Sequence, residues 1–179
     1  VKTIDLHIID LVHNSIKAGA NTIGISVSLN TAADLFTICV EDNGCGMNVE
    51  TLSKVCDPYY TTRTERKVGL GVSLLKFQAE LCQGKFTISS QEGKGTKVQA
   101  TFTLSHPDRQ GIGDIAGTLS GFICQFPDIH FDIQLLSNDI ELCTSTAELK
   151  EALEFKKRFS NHDFRLIQEF LSSATQFYV

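Results

Sequence analysis

Apolar residues at Ile4, Ile8, Leu11, Val12 and Ile16 recur close to every 3.6 positions between Thr3 and Ala18, and Gly19 follows as a stop. The chain therefore opens on an amphipathic helix. The period then changes to two: Ile23, Ile25, Val27 and Leu29 alternate with polar residues, and Asn30 to Asp34 turns the chain into a second strand, Leu35 to Glu41. Asn48 is placed to cap a short helix over Thr51 to Val55, which Cys56-Asp57-Pro58-Tyr59-Tyr60 breaks. A third helix runs through Leu74, Leu75, Phe77 and Leu81. Two more strands, Lys85 to Ser90 and Thr96 to Leu104, are joined by Gln91-Glu92-Gly93-Lys94-Gly95, a hairpin-type connection.

At His106-Pro107-Asp108-Arg109-Gln110-Gly111 the composition becomes polar and rich in helix breakers, which predicts a domain boundary between residues 1–105 and 106–179. The second part reads as helix (Ile112 to Cys124), strand (Ile129 to Leu136), a turn at Asn138-Asp139, strand (Asp139 to Cys143), helix (Ser145 to Phe155) and helix (Phe164 to Phe177). Phe155, Phe159, Phe164, Phe170 and Phe177 read as core or as a docking face. The apolar supply from Phe155 to Val179 predicts contact with a protein partner or a second copy.

Composition narrows the class without choosing a chemistry. The chain has 179 residues, 42% hydrophobic and 21% charged, with a net charge of −5, and its basic residues are scattered apart from Lys156-Lys157-Arg158. That balance gives nucleic-acid binding no support. No apolar run approaches the roughly 18 residues of a membrane span. The opening Val1-Lys2-Thr3-Ile4-Asp5 also lacks a signal-peptide layout, so a cytoplasmic location with no membrane contact is expected. The six cysteines form no Cys-x-x-Cys pair and fall mostly in apolar segments, so they are expected as buried thiols rather than zinc ligands or disulfides.

The chemistry gathers around Glu41-Asp42-Asn43-Gly44-Cys45-Gly46-Met47. A strand ending in Asp-Asn-Gly turns sharply, and two glycines let a flat ligand approach the main chain, with Asp42 positioned to accept from an exocyclic amine. On the first helix Asp10, Asn14 and Lys17 lie at i, i+4 and i+7, one stripe that can face the same site. Thr61-Thr62-Arg63-Thr64-Glu65-Arg66-Lys67 is polar and hydroxyl-rich and runs into Val68-Gly69-Leu70-Gly71. There the backbone N–H groups at a helix start would hold phosphate, with the loop as a lid.

Helix with Asp-x-x-x-Asn, then Asp-x-Gly-x-Gly, then a lid, a Gly-x-Gly helix and a Gly-Thr hairpin is an order that resembles the ATP-binding domain of gyrase, the large heat-shock chaperone, histidine kinases and mismatch-repair ATPases. The resemblance covers Ile4 to about Leu104. The box from Asp10 to Ala20 is most similar to mismatch-repair ATPases. The stretch from Asp57-Pro58-Tyr59-Tyr60-Thr61-Thr62 to Gly69-Leu70-Gly71-Val72-Ser73 and Gly93-Lys94-Gly95-Thr96 is most similar to histidine-kinase catalytic domains.

What the resemblance implies is a two-layer α/β sandwich, a mixed sheet with helices on one face, followed here by a small α+β module. It implies ATP or ADP as ligand with Mg2+, the ion on Asn14, the adenine amine on Asp42, the ring beside Gly44 and Gly46, and Thr96 in the water network next to Asp42. Gly69 and Gly71 fall to the phosphates, Lys17 to the phosphate side, and Met47, Thr61, Thr62, Arg63, Lys67 and Leu70 complete the implied nucleotide-binding set.

In hydrolysing relatives a Glu four residues before the Asn activates water. This chain carries Asp10 there, a carboxylate still able to act as a base but roughly 1.5 Å shorter. Slow hydrolysis and phosphoryl transfer to a protein are both compatible with it, as is a module that binds ATP without turnover. His7, His13, His106, His130 and His162 read as ordinary helix, loop and strand residues.

Overall fold

A computed structural model describes residues 3–57 and 70–178 of the chain. Helix α1 (Ile4–Lys17) buries Ile4, Ile8, Leu11 and Val12 along one stripe, as its period requires. Strand β1 (Thr22–Asn30) alternates half-buried and buried positions along its length, and β2 (Leu35–Asp42) returns antiparallel beside it, with Ile25 opposite Val40 and Val27 opposite Ile38. Helix α2 (Val49–Lys54) starts where Asn48 caps it, its side chain accepting from Thr51 N at 2.8 Å. After α3 (Leu70–Leu81), β3 (Phe86–Gln91) and β4 (Gly95–Thr103) form a hairpin whose second strand pairs with the far side of β2.

The residues after position 106 continue this sheet. Helix α4 (Ile115–Gln125) leads into β5 (His130–Ser137), which runs parallel to β1 with Ile133 opposite Ile25, and β6 (Ile140–Ser145) follows antiparallel through the two-residue turn Asn138-Asp139. The strand order is β3-β4-β2-β1-β5-β6, a mixed six-stranded sheet. Helices α5 (Thr146–Ala152) and α6 (Asn161–Thr175) complete the helical layer. One core runs through both halves, from Phe36 and Phe102 to Phe131, Leu119 and Leu171.

Where a domain boundary is expected, the chain is tied back to the start of α1: Ile4 N and Asp5 N donate to Gly111 O and Ile112 O at 2.9 and 3.0 Å. His106–Gly111 is a crossover between strands of one sheet, and the change to polar residues there reflects surface exposure, not separation.

The core-facing side of the strands is mostly apolar, and the opposite side carries Thr22, Gly24, Ser26 and Ser28 on β1, Leu35, Thr37, Cys39 and Glu41 on β2, and Lys97, Gln99 and Thr101 on β4. The helices of the described residues therefore sit on one face, the expected two-layer arrangement.

Boundaries move where caps decide them. Asp114 caps α4, accepting from Gly117 N at 2.8 Å, so the helix begins three residues after Ile112. A capping box between Ser160 and Asp163 starts α6 before Phe164. Helix α5 ends at Ala152, and Phe155 instead packs on Phe159 with ring centroids 4.6 Å apart. The expectation of buried thiols holds for Cys82, while Cys39, Cys56 and Cys124 are half-buried; Cys45 and Cys143 are exposed, because one sits on a turn and the other on the polar sheet face at an edge.

Candidate nucleotide-binding site

Asp42 ends β2 between Ile23 of β1 and Thr96 of β4. Its carboxylate is held from two sides: Oδ1 accepts from Gly44 N at 2.8 Å and Oδ2 from the Ser15 hydroxyl at 2.6 Å. Ser15 is 3% exposed and lies within hydrogen-bond reach of Leu11 O as well, at 3.2 Å. Each carboxylate oxygen has two lone pairs, so one acceptor position remains on each for a ligand. Ser15 thus belongs to the site although sequence reasoning passed it over; a buried serine on a helix that faces a strand-end carboxylate was the available signal.

The turn after Asp42 is fixed by the protein's own packing. Asn43 Oδ1 accepts from Asn21 N and Thr22 N, both at 3.0 Å, and Cys45 N donates to Ala18 O at 2.8 Å. A side chain at Gly44 would stand 2.8 Å from Ala18 Cβ, and one at Gly46, where φ is +65°, would stand 2.0 Å from Gln91 O. These glycines are required because the end of α1 and the β3–β4 hairpin press on the turn, whereas sequence reasoning gave the free space to a ring. Gly95 is a further requirement: with φ at +123°, its Cβ would fall 1.8 Å from Asp42 O.

The hairpin reinforces the same corner. Gly93 N donates to Cys45 O at 2.7 Å and Met47 N to Ser90 Oγ at 2.8 Å. Ser90 Oγ lies 2.8 Å from Thr96 Oγ1, so the Thr96 hydroxyl beside Asp42 is held by a second hydroxyl that the sequence did not single out. Met47 is half-buried and packs on the core.

On α1, Asp10 and Asn14 are half-buried one turn apart, and Lys17 is exposed in the last turn. A Cβ at Gly71 would stand 3.0 Å from Asp10 Cβ and 3.1 Å from its Oδ2, so Asp10 lies against the first turn of α3. Leu70, the first residue of α3, is 56% exposed. The structure therefore gathers Asp42, Thr96, Gly44, Gly46 and Met47 at one corner and Asp10 with Gly71 at the adjoining one. Thr61, Thr62, Arg63, Lys67 and Gly69, and the lid they were expected to form, lie outside the described residues.

A hollow of about 390 Å3 lined by Thr22, Gly24, Glu41, Asp42, Asn43, Lys94 and Asp132 opens on the strand face rather than between α1 and α3. Of the expected residues only Asp42 lines it. Glu41 there is paired with Lys97 at 3.1 Å, and that partner holds the Lys97 ammonium above its usual pKa.

Among the described residues no three His, Cys, Asp or Glu side chains converge to cage a metal ion. Asn14 offers one amide oxygen, which fits an ion that takes the rest of its shell from phosphates and water. No helix among the described residues is long and apolar enough to cross a membrane.

Known proteins are similar to this chain in sequence and in fold. A putative sensor protein of Shewanella frigidimarina is 35% identical over 103 residues, covering 56% of this chain and 16% of its own length. Sporulation kinase E of Bacillus subtilis is 33% identical over 103 residues, 57% of this chain and 13% of its own. The chain thus spans a small part of these relatives. In fold, the N-terminal domain of a DNA repair protein superposes over 92% of this chain and 59% of its own with a TM-score of 0.58 at 17% identity, a likeness that reaches into the C-terminal strands. Residues 2–106 match the histidine kinase-, DNA gyrase B- and HSP90-like ATPase family, and with more than half of its length covered the chain belongs to that family.

Proposed function

We propose that the protein binds ATP with Mg2+ and turns it over slowly, with Asp10 as the base that activates the attacking group. Asp42 receives the adenine amine, Asn14 takes one position on the ion, and the start of α3 at Gly71 faces the phosphates. The observation that carries this reading is the contact of Asp10 with the first turn of α3. A side chain one methylene shorter than Glu needs the phosphate-holding turn to come closer, and a glycine at 71 lets it do so. Further support comes from the double hold on Asp42, which fixes the carboxylate yet leaves lone pairs for a ligand, and from the family match.

With γ-labelled ATP, hydrolysis releases free phosphate, and Asp10→Asn removes that release while nucleotide binding persists, because only the proton-accepting group is lost. Label on a protein instead would make phosphoryl transfer the reaction, since positioning and charge stabilisation serve any acceptor. Tight binding with no movement of label would overturn turnover and leave a nucleotide-dependent regulatory module.

Binding has its own measurement. ATP with Mg2+ at a hundredfold excess over Kd should stabilise the fold by about 2.7 kcal/mol. Asp42→Asn should remove most of that gain, since it sets an amide where the amine needs an acceptor.

The C-terminal segment is part of the same proposal as a surface for a protein partner. Ile167, Leu171 and Ala174 of α6 are buried, while Leu166, Phe170 and Phe177 are 38%, 45% and 49% exposed. The inward residues hold the helix to the sheet, and the outward ones leave apolar surface for another chain.

A further inference from the structure

We propose that the β6 edge and the cleft beside it bind an extended peptide that alternates basic and bulky apolar residues, adding it to the sheet as a seventh strand. This rests on the reading of the C-terminal segment as a protein-contact surface and gives that contact a chemistry.

Strand β6 is the last strand of the sheet, with β5 on one side and no neighbouring strand on the other among the described residues. In an antiparallel pair every second residue turns its N–H and C=O away from its partner. Ser145 is of that kind, because its N–H donates to Glu148 Oε2 at 3.0 Å. Counting back by two, Glu141 and Cys143 present their backbone groups at the open edge. The capping box closes the edge at Ser145 and leaves those two positions for an incoming chain.

Directly on the helix side lies a cleft of about 480 Å3 whose apolar lining comes from Leu149 and Leu153, and from Leu166, Ile167 and Phe170 of α6. Its floor is fixed, since Leu149 and Ile167 are 7% and 1% exposed. A strand laid against β6 sends alternate side chains to opposite faces of the sheet. One set enters this cleft. The other set meets the open sheet face, where Glu141 is exposed and accepts from Gln134 Nε2 at 3.0 Å. Backbone pairing for affinity with a side-chain pocket for selectivity is the general mode of strand addition.

The charges choose the occupant. Glu141 lies on the edge strand and Glu148 on the cleft wall, both exposed, and the lysine of α5, Lys150, lies over the Phe155 ring at 4.7 Å. Pairing of β6 with β6 of a second copy would crowd the Glu141 and Glu148 carboxylates of both chains along one edge, which like-charge repulsion opposes. A peptide with lysines on its outward positions meets Glu141 favourably on the open sheet face, while its apolar side chains enter the cleft beside Glu148.

The probe is a capped hexapeptide alternating Lys with Phe and Leu, and its control is the same peptide with Glu for Lys. Titration followed by backbone-amide NMR should shift Glu141, Cys143 and residues of α5 and α6, with the Lys peptide binding at least about tenfold tighter than the Glu peptide, a factor equivalent to ~1.4 kcal/mol. Phe170→Glu should weaken the Lys peptide by about tenfold or more through the cleft. Cys143→Pro should do so through the edge, where it removes no bond to β5. Both variants should keep the melting temperature of the parent and its full shift with ATP and Mg2+, because neither residue lies near Asp42; loss of that shift in the parent chain alone would count against the nucleotide reading and not this one. Equal binding of the two peptides, shifts confined to another surface, no shift at millimolar peptide, or a dimer that occupies this edge would each overturn the assignment.

Discussion

At the scale of single residues, the site depends on side chains that hold other side chains. Ser15→Ala removes one of the two hydrogen bonds on Asp42 and leaves the carboxylate free to rotate. A hydrogen bond to a charged group contributes ~1.5–3 kcal/mol, so ATP affinity measured by calorimetry should fall by one to two orders of magnitude, with the melting temperature of the ligand-free protein less affected than its ligand-induced shift. An unchanged Kd would show that Gly44 N alone orients Asp42. Tyr178, away from the site, holds backbone instead. Its hydroxyl lies 2.8 Å from Leu136 O and 3.1 Å from Val27 O, its ring packs edge-on against Phe36, and burial raises its pKa above the ordinary value.

The folded state therefore favours the neutral phenol, so its stabilising contribution is complete below the unfolded pKa of about 10 and declines as pH rises beyond it toward the folded value. Tyr178→Phe should flatten that alkaline decline in chemical unfolding experiments, at a cost in stability at neutral pH. Asp42, Asp10 and Asn14 were legible as candidates in the sequence because spacing on a helix and a Gly-rich turn announce them. Ser15 and Ser90 were not, because a serine next to a motif carries no periodic signal until the fold brings its partner across.

At the scale of elements, the types were legible and several faces were not. The sequence marks the third helix by Leu74, Leu75, Phe77 and Leu81, yet of these only Leu75 is buried; Val72 and Ala79 share its inner side, and Leu70, Leu74, Phe77 and Leu81 are exposed. A helix apolar on every side gives a pattern without a phase, so period alone cannot orient it. Starts set by side-chain caps moved for α4 and α6 because local hydrogen bonds at Asp114 and Ser160 outweigh the first apolar residue of the run. Glycines divide in the same way. Gly95→Ala must place a Cβ 1.8 Å from Asp42 O at φ +123°, whereas Gly121 in α4 has nothing within 4 Å of the same atom. Gly95→Ala should destabilise by ~2 kcal/mol or more and weaken nucleotide binding with it, since the hairpin must move off the Asp42 turn. Gly121→Ala should stabilise by ~0.5–1 kcal/mol through helix propensity. Urea unfolding of both variants checks the pair, and equal effects would contradict the clash at 95.

At the scale of the whole molecule, the question is whether residues 106–179 are an appendage or half of the core. Composition pointed to a boundary, because polar and breaking residues at His106–Gly111 look the same in a linker and in a surface crossover. Long-range strand pairing decides between them, and no local pattern announces that β5 will lie parallel to β1. In the structure β1 is an interior strand with β2 on one side and β5 on the other. Beyond it Ile115, Leu119, Ile123, Phe131, Ile133, Leu135 and Leu171 are buried in the core that also holds α1, and His13 meets Phe122 edge-on at 5.6 Å. Burial of each such apolar side chain contributes ~1.5–3 kcal/mol, so together they match or exceed the ~5–15 kcal/mol by which a domain is stable at all. A fragment ending at residue 105 should therefore fail to unfold cooperatively and should lose the ATP-dependent shift, although it keeps Asp10, Asn14, Asp42 and Thr96. The full chain should melt in one transition, with circular dichroism and tyrosine fluorescence tracing the same curve. A fragment that melts at the temperature of the full chain and retains the ATP shift would reverse this conclusion, for it would mean that the opened edge of β1 and the uncovered side of α1 need no cover.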